Sequence, residues 1–426
     1  AGVVQSGKTP EGGAGKDGTT EREAGEGTMK EMKFAGRIEA LDDGAVRDIL
    51  ALTASREVIS FAGGNPPADA FPVREIAGIT AEALENCPAQ VLQYGETAGY
   101  APLLDTLRSR LEARLGAAVM AENAVFTTTG SQQTASLLAH VLLDEGDVAV
   151  VEEPSFVGYL NSFRAFGARL AGVPMQPDGM DVDALAATLR AEPRAKLLYM
   201  ISNFQNPTGF TTSAQKRAAI YRLAQAHDLI ILEDDAYGEL RFSGAPVPPV
   251  KQLDTDGRVV YTASFSKVFA PAFRLGYALA PRRLAQRMLA VKQCADVHTA
   301  TLFQYIAHRF MTGYDFAGHL ARLRALYGSK CALMLDRMER SFHPSVRFNR
   351  PEGGMFVMAF LPEGMDAKPF VQQAVRAGVA CVPGVAFSTD QSRPSNGFRM
   401  NYSMPSDADI VRGVDILGRL THRLPA

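Results

Sequence analysis

The stretch "AQKRAAIYRLAQAHDLIILEDD", residues 214–235, combines two patterns that decide the fold class. Its first part spaces apolar side chains as an amphipathic helix does, and "LIIL" near its end is a short continuous apolar run. Continuous apolar runs are typical of strands that are buried on both faces of a sheet. A helix that leads directly into such a strand predicts one unit of an α/β fold.

The same alternation extends in both directions, from about residue 120 to about residue 280. Apolar runs alternate with helical patterns in the order "NAVFTTTG", "QTASLLAHVLLDEG", "DVAVVEEPSF", "AKLLYMISNF", "RVVYTASFS" and "LGYALA". This order predicts a mainly parallel sheet covered by helices on both faces, with ligands at the carboxyl ends of the strands. Later helices and the short strands "GGMFVMAFLP", "VACVPG" and "GFRMNYS" predict a second, smaller α+β domain.

Composition limits the class of protein. The 426 residues carry a formal net charge of −2, so we expect no nucleic-acid partner. No apolar run approaches the about 20 residues of a membrane helix, so we expect no membrane partner. The four cysteines form no CxxC pair and the seven histidines show no metal-binding spacing, which predicts a cytoplasmic protein without a metal site. Residues 1–28 are rich in glycine and charge and predict a flexible tail.

Three polar clusters at predicted strand ends contain candidates for chemistry. "TTTGSQQTASLL" (127–138) places Ser131 where a strand turns into a helix, as either a phosphate site or a simple N-cap. "SNFQNPTGF" (202–210) is a turn signal, in which the amide of Asn206 could also donate to an anionic oxygen. "LIILEDDAYGEL" (229–240) places Asp234, Asp235 and Tyr237 beyond a strand. A carboxylate there either caps the next element or holds a proton on a basic nitrogen.

A fourth cluster is "SFSKVFAPAFRLGY" (264–277), an apolar segment that holds Ser264, Ser266, Lys267 and Arg274. Lys267 is either a solvated lysine that follows a strand or a buried amine with a chemical task. Each cluster alone leaves its alternatives open. Their order and spacing are more specific than any one of them.

The succession N-P-T-G, D-x-x-Y, S-x-S-K and R-x-G resembles the fold-type I enzymes that use pyridoxal 5′-phosphate (PLP), in particular class I/II aminotransferases. Within that class the chain is most similar to the 2-aminoadipate and kynurenine/aminoadipate subgroup. The resemblance begins at Phe34 and includes "ISFAGGNPPADAFP", "LQYGETAGYAPL", "EEPSFVGY", "PEGGMFVM", "VPGVAFS" and "FRMNYS". It implies a large domain over residues 81–315 with a mainly parallel seven-stranded sheet. The small domain would combine an N-terminal arm, residues 29–80, with residues 316–426.

The resemblance implies catalytic roles for three residues. Lys267 would condense with the aldehyde of PLP and then move a proton, and Asp234 would pair with the pyridine nitrogen. Tyr237 would donate to the phenolate oxygen of the ring, together with Asn206. The other implied cofactor contacts are Tyr94, Ser131, Gln132, Phe156, Ser264, Ser266 and Arg274.

Two of these contacts carry structural expectations of their own. Tyr94 is implied to reach the phosphate across a subunit interface, so the resemblance implies a homodimer with shared active sites. Phe156 would stack on the cofactor ring without offering a hydroxyl group, and the alternative is an ordinary core aromatic.

For the substrate, the resemblance implies that Arg399 grips the α-carboxylate and that Gly64 and Asn206 lie beside it. Arg47 matches an arginine that some relatives use for a side-chain carboxylate, although a surface salt bridge is the alternative. Asn65 occupies a position in "FAGGNP" where an apolar residue is expected, which leaves the substrate side chain open.

The implied reaction is a ping-pong transamination. The amino group of an L-amino acid, of 2-aminoadipate, aromatic or branched-chain type, passes to a 2-oxo acid such as 2-oxoglutarate. One alternative on the same fold is a PLP-dependent lyase or decarboxylase. The other is an aminotransferase-like, ligand-sensing transcription regulator, which needs a DNA-binding module before the core, whereas only a short tail precedes Phe34 in this sequence.

Overall fold

The unit predicted at 214–235 is present as the helix Ala214–Ala226 and the strand Ile230–Asp234. The computed structural model describes residues 33–39, 41 and 58–424. The predictions for residues 1–28 and for Arg47 therefore lie outside the described residues. The chain divides into two units, residues 1–35 and residues 36–426, and all that follows concerns the second.

The strands are numbered in chain order. They are β1 Ile59–Ser60, β2 Asn123–Thr128, β3 Val148–Glu153, β4 Arg169–Gln176, β5 Gly179–Met180, β6 Ala195–Ile201, β7 Ile230–Asp234, β8 Val259–Ser264, β9 Gly276–Pro281, β10 Arg347–Phe348, β11 Phe356–Phe360, β12 Val379–Ala380, β13 Val382–Pro383 and β14 Gly397–Asn401.

The α-helices are Gly36–Glu39, Val73–Asn86, Pro88–Leu92, Ala101–Leu115, Ala117–Glu122, Ser131–Leu142, Val157–Arg164, Val182–Ala191, Ala214–Ala226, Arg282–Ala295, Thr301–Gly313, Phe316–Ser341, Ala367–Arg376 and Asp407–Thr421. In the described part of the chain, none of these helices is both long enough and apolar enough to span a membrane.

The large sheet has the strand order β2-β9-β8-β7-β6-β3-β4-β5. Neighbouring strands from β8 to β4 run parallel, while β9 runs antiparallel to both β2 and β8. The predicted mainly parallel sheet is confirmed. It contains the seven expected strands and an eighth, β5, because the two residues of β5 fold back on the end of β4. A strand of two residues is too short to leave a periodic signal in the sequence.

Alternate residues of the sheet enter two separate cores, as the period-two geometry of a strand requires. In β6, Tyr199 and Ile201 join one core with the helix Ser131–Leu142, whereas Leu198 and Met200 join the other with the helix Ala214–Ala226. The sheet is therefore covered on both faces, and its carboxyl-terminal edge is left for polar groups.

A four-stranded antiparallel sheet, β10-β11-β14-β13, carries the C-terminal motifs. The short parallel pair β1 and β12 joins the segment after residue 58 to this part of the chain. That pairing supports our proposal that residues before 81 belong with the C-terminal region in one small domain. The domain boundaries remain a proposal.

Candidate active site

A cavity of about 340 Å³ opens at the carboxyl-terminal edge of the large sheet. It is lined by the loops after β3 and β6, the ends of β7 and β8, and residues of the C-terminal sheet. Twelve sequence-predicted residues line it together: Gly64, Ser131, Gln132, Phe156, Asn206, Asp234, Tyr237, Ser264, Ser266, Lys267, Arg274 and Arg399.

Lys267 projects into this cavity from the turn after β8. Its Nζ donates a hydrogen bond to the carbonyl oxygen of Gly64 at 2.7 Å. Burial, together with the positive charges of Arg399 and Arg274, lowers the pKa of Lys267 to about 8. About a tenth of this amine is therefore neutral, and nucleophilic, at pH 7. The interpretation of Lys267 as a solvated surface lysine is wrong.

One end of the cavity is a cradle of hydroxyl, guanidinium and backbone N–H groups. The hydroxyl groups of Ser264 and Ser266 lie 2.9 Å apart, and Nη1 of Arg274 donates to Ser266 Oγ at 3.4 Å. The helix Ser131–Leu142 begins at the same place, and Gly130 occupies its N-cap position. The N-cap interpretation of Ser131 is therefore wrong. Because a glycine has no side chain, the helix N-terminus stays open to an anion.

Gly130 is required by the crowding of this cradle. Its φ of 77° is a conformation that favours glycine, and a Cβ atom there would overlap the guanidinium group of Arg274. The backbone and the arginine are therefore packed against each other with no room for a side chain.

Asp234, at the end of β7, is buried beneath the middle of the cavity. Its carboxylate accepts from the Ala236 N–H at 3.2 Å and from the Tyr199 hydroxyl at 3.4 Å. Burial and the charge of the adjacent Asp235 raise the pKa of Asp234 to about 7. A cationic partner would therefore favour its ionised form near neutral pH. The local bond to Ala236 shows that the capping interpretation also holds in part.

Arg399, on β14, closes the other end of the cavity. Nη1 donates to Asn206 Oδ1 at 2.7 Å and Nη2 donates to the Ala62 carbonyl at 2.5 Å. The guanidinium carbon lies 4.3 Å from the ring centroid of Phe356 and 4.8 Å from that of Phe387. Burial lowers the pKa of Arg399 to about 10, so it remains a cation at neutral pH.

The Nε atom of Arg399 is buried and has no hydrogen-bond partner among the described residues. A buried N–H group without an acceptor is costly in a folded protein. A planar carboxylate is the anion that best complements an arginine. The Arg399 guanidinium group lines the cavity as a cation and could receive a carboxylate there.

Tyr237 and Phe156 complete the walls between these two ends. Burial and the charge of Asp234 raise the pKa of Tyr237, which keeps its hydroxyl protonated as a donor. Phe156 is half-buried, with its ring 5.7 Å from that of Tyr159. Phe156 lines the cavity and also packs against the hydrophobic core. The interpretation as a cofactor-stacking ring and the interpretation as a core aromatic are therefore compatible.

Tyr94 stands apart from the group. Its side chain is 81% exposed, its ring contacts His298 at 5.8 Å, and it is not among the residues that line the cavity. Gln132 lines the rim, where its amide donates weakly to the Gly158 carbonyl at 3.4 Å.

The motifs missed two tyrosines. Tyr159 donates to the Ser131 carbonyl at 2.7 Å, and its ring stacks on that of Tyr199 at 4.6 Å, beside Asp234. Tyr199 could have been found because it lies two residues before Ile201 on β6. Ile201 lines the cavity, and residues two apart in a strand share a face. Tyr159 ends the quoted motif "EEPSFVGY", but no role was assigned to it from the sequence.

These features would suit an anionic group near Ser264, Ser266 and Arg274, a carboxylate near Arg399 and a reactive amine at Lys267. Residues 56–417 match the family "Aminotransferase class I and II", and the chain belongs to that family.

The chain is similar to named relatives over most of its length. It is 37% identical to aromatic-amino-acid aminotransferase 1 of Thermococcus litoralis, over 90% of this chain and 93% of the relative. It is also 37% identical to the 2-aminoadipate transaminase of Thermus thermophilus, over 91% and 95%. A structure of a Pyrococcus horikoshii kynurenine aminotransferase with PMP matches with a TM-score of 0.88 and 34% identity, over 92% and 98%. The predicted family and fold are therefore confirmed.

Proposed function

We propose that this aminotransferase uses PLP to transfer the amino group of an L-amino acid to a 2-oxo acid in a ping-pong reaction. The single observation that carries the proposal is the position of Lys267. It is a largely buried amine of lowered pKa between an anion cradle and the orphaned Nε of Arg399.

The cavity fits PLP in its chemistry. The cradle of Ser264, Ser266, Arg274 and the helix start at Ser131 suits a dianionic phosphate. A cationic partner would favour the ionised form of Asp234, and a protonated ring nitrogen is such a partner. Gln132 and Phe156 would line the remaining surface of the cofactor.

When bound, PLP bonds reversibly to primary amines and withdraws electrons from the carbon that carries the amino group. Lys267 would hold the cofactor and then move the proton between carbon atoms, because its pKa suits both an acid and a base near neutral pH. Asp234 would keep the ring nitrogen protonated. The Tyr237 hydroxyl and the Asn206 amide would donate to the phenolate oxygen.

Arg399 would orient both the donor and the acceptor by the carboxylate that they share. Its guanidinium group lines the cavity and is held between two aromatic rings. Gly64 brings its backbone to the same end, with its Cα hydrogen facing Phe356 where a Cβ would lie 3.1 Å from that ring. Arg47 would serve a side-chain carboxylate, where the donor has one.

We propose an amino donor of the aromatic, 2-aminoadipate or branched-chain type and 2-oxoglutarate as the acceptor. The similarity to the aromatic-amino-acid and 2-aminoadipate aminotransferases supports the first two donors. We further propose a homodimer in which the exposed Tyr94 reaches the partner's cofactor. The four cysteines are free, which fits a cytoplasmic location.

The test is a panel of amino donors with 2-oxoglutarate, read as glutamate formed. We expect turnover with at least one of the three donor types and a loss of glutamate formation when 2-oxoglutarate is omitted. Release of ammonia or carbon dioxide without an acceptor would instead support a lyase or decarboxylase. Borohydride reduction followed by peptide mapping should place the cofactor on Lys267.

A further inference from the structure

The end of β3 carries two neighbouring carboxylates, Glu152 and Glu153, that have no role in the proposed chemistry. Successive side chains of a strand point to opposite faces of the sheet. The two carboxylates therefore reach different partners from a single strand end. Each set of partners leads to a group that contacts Arg399.

Glu152 holds the turn that presents Asn206. It is fully buried, and its Oε2 accepts from the Ile201 N–H at 3.0 Å and from the Gln205 side-chain amide at 3.1 Å. The same Gln205 amide donates to the Pro154 carbonyl at 2.8 Å, and its Oε1 accepts from Thr208 N–H at 2.9 Å.

The residue enclosed by this network is Asn206. Gln205 and Thr208 fix the chain on both sides of it, and the Asn206 Oδ1 accepts from Arg399 Nη1 at 2.7 Å. A glutamine at position 152 could present one oxygen to both donors that bind Glu152 Oε2, and its NH2 group would replace Glu152 Oε1, which is buried without a partner among the described residues.

Glu153 holds the segment that presents Phe387. Its carboxylate accepts from the Ser388 hydroxyl, and its Oε2 accepts from the Thr389 N–H at 2.9 Å. Ser155, two residues after Glu153, also holds this segment, because its N–H donates to the Phe387 carbonyl at 2.8 Å. The ring of Phe387 then lies 4.8 Å from the guanidinium carbon of Arg399.

We propose that Glu152 and Glu153 are positioning residues for the carboxylate site at Arg399, one through Asn206 and the other through Phe387. This inference rests on the proposed function, because it takes Arg399 as the group that binds the substrate carboxylate. Two of the four contacts of the guanidinium group, with Asn206 and with Phe387, depend on this one strand end, so its displacement would misalign Arg399.

The test compares Glu153→Ala with wild type in the PLP-loaded enzyme. We expect KM for donor and acceptor, and KI for 3-phenylpropionate, to rise about tenfold, as loss of hydrogen-bonded alignment implies. The value of kcat should change much less. A 3-phenylpropionate molecule has a carboxylate but no amino group, so its KI reports carboxylate and side-chain binding without any reaction at the cofactor. Glu153→Gln keeps one acceptor oxygen and should restore much of the wild-type KI.

Two further variants separate this role from general destabilisation. Gln205→Leu removes the link between Glu152 and the Asn206 turn and should raise KM and KI as Glu153→Ala does, whereas Glu152→Gln should leave both near wild type. Asp147→Ala is the matched control, because Asp147 precedes the opposite end of β3 and binds Arg194 and Lys196 there. It should lower the melting temperature without changing KI.

Arg399→Lys distinguishes failure of the inference from failure of the proposed function. If Arg399→Lys leaves KI for 3-phenylpropionate unchanged, Arg399 does not bind the carboxylate and the proposed function is wrong in that part. If it raises KI while Glu153→Ala and Gln205→Leu do not, the positioning role alone is overturned. The same conclusion follows if Asp147→Ala raises KI as much as they do.

Discussion

The two edges of the large sheet bury similar polar side chains in different ways. At the amino-terminal edge, the Lys251 ammonium is fully buried and donates to Asn123 Oδ1, Asp254 Oδ2 and the Val259 carbonyl at 2.6–2.7 Å. At the carboxyl-terminal edge, the Lys267 ammonium has the Gly64 carbonyl as its one hydrogen-bond acceptor in the described part of the chain.

Arginines show the same contrast. The exposed Arg194 at the amino-terminal edge pairs with the buried carboxylate of Asp147 at 3.0 Å. At the other edge, Arg399 has no carboxylate partner in residues 58–424 and leaves its Nε unbonded. A buried polar group with a full set of partners stabilises the fold, while one that lacks partners costs stability unless a ligand supplies them. The difference between the edges therefore separates structural polar groups from functional ones.

The largest expected effects come from replacing each of the two lysines with alanine. Lys267→Ala should reduce transamination by at least about 10⁴-fold, because it removes both the cofactor's attachment and the proton carrier. Lys251→Ala should instead cost about 3–5 kcal/mol of stability by leaving buried partners unpaired. Glutamate formation and the melting temperature measure the two effects.

Each lysine variant tests one side of the comparison between the two edges of the sheet. Multiple-turnover activity of Lys267→Ala near the wild-type rate would remove the central assignment. A folded Lys251→Ala protein that had lost activity would show that the amino-terminal edge is not merely structural.

The resemblance named the cradle residues Ser264, Ser266 and Arg274, and these three lie close together in the sequence. Ser264 ends β8, and Arg274 lies two residues before β9. Short spacings determine which side chains can meet around a single turn. The alternation of apolar runs likewise predicted the sheet, since burial on both faces leaves continuous apolar strands.

The surroundings of Arg399 were not predictable in the same way. Its partners Ala62, Asn206, Phe356 and Phe387 come from four separate parts of the chain. Only tertiary packing brings these parts together, and no local spacing records it. The resemblance could name Arg399, but it could not reveal the free Nε or the role of Glu153.

The next largest effect tests the arginine contrast. Arg399→Ala should raise KM for donor and acceptor together by about 100-fold, because a charged hydrogen-bonded pair to the carboxylate is lost. Arg194→Ala should leave both KM values near wild type. A rise in KM for one substrate alone would mean that the two do not share this site.

A smaller effect, on the Kd for PLP, is expected when two glycines of similar conformation are replaced with alanine. Gly130 and Gly257 have φ values of 77° and 74°, but a Cβ at Gly130 would overlap Arg274, whereas at Gly257 the nearest atom is 3.6 Å away. Gly130→Ala should therefore raise the Kd for PLP about tenfold by displacing the arginine. Gly257→Ala should cost only about 1–2 kcal/mol of backbone strain.

Titration of the apoprotein with PLP, followed by absorbance, measures the two dissociation constants. Equal Kd values for the two alanine variants would show that Arg274 is not held in place by its contact with Gly130.

The smallest effect concerns pH. Burial, followed by the charges of Arg399 and Arg274, lowers the pKa of Lys267 to about 8. Only the neutral amine reacts with an aldehyde, so the rate of PLP uptake by the apoprotein should rise about tenfold per pH unit below pH 8. It should level off above pH 8, whereas a solvated lysine would continue to gain reactivity to about pH 10.4.

The same shift predicts the sign of a stability change. Between about pH 8 and pH 10.4 the unfolded chain keeps the Lys267 proton that the folded chain has lost, so the stability of the apoprotein should rise with pH in this window. Arg399→Leu removes one of the two positive charges and should move the midpoint of PLP uptake upward, though not to the value of a solvated lysine, because burial is the largest cause. An unchanged midpoint in Arg399→Leu would mean that the two ends of the cavity are electrostatically independent, and a wild-type midpoint near pH 10.4 would show that Lys267 behaves as a solvated amine.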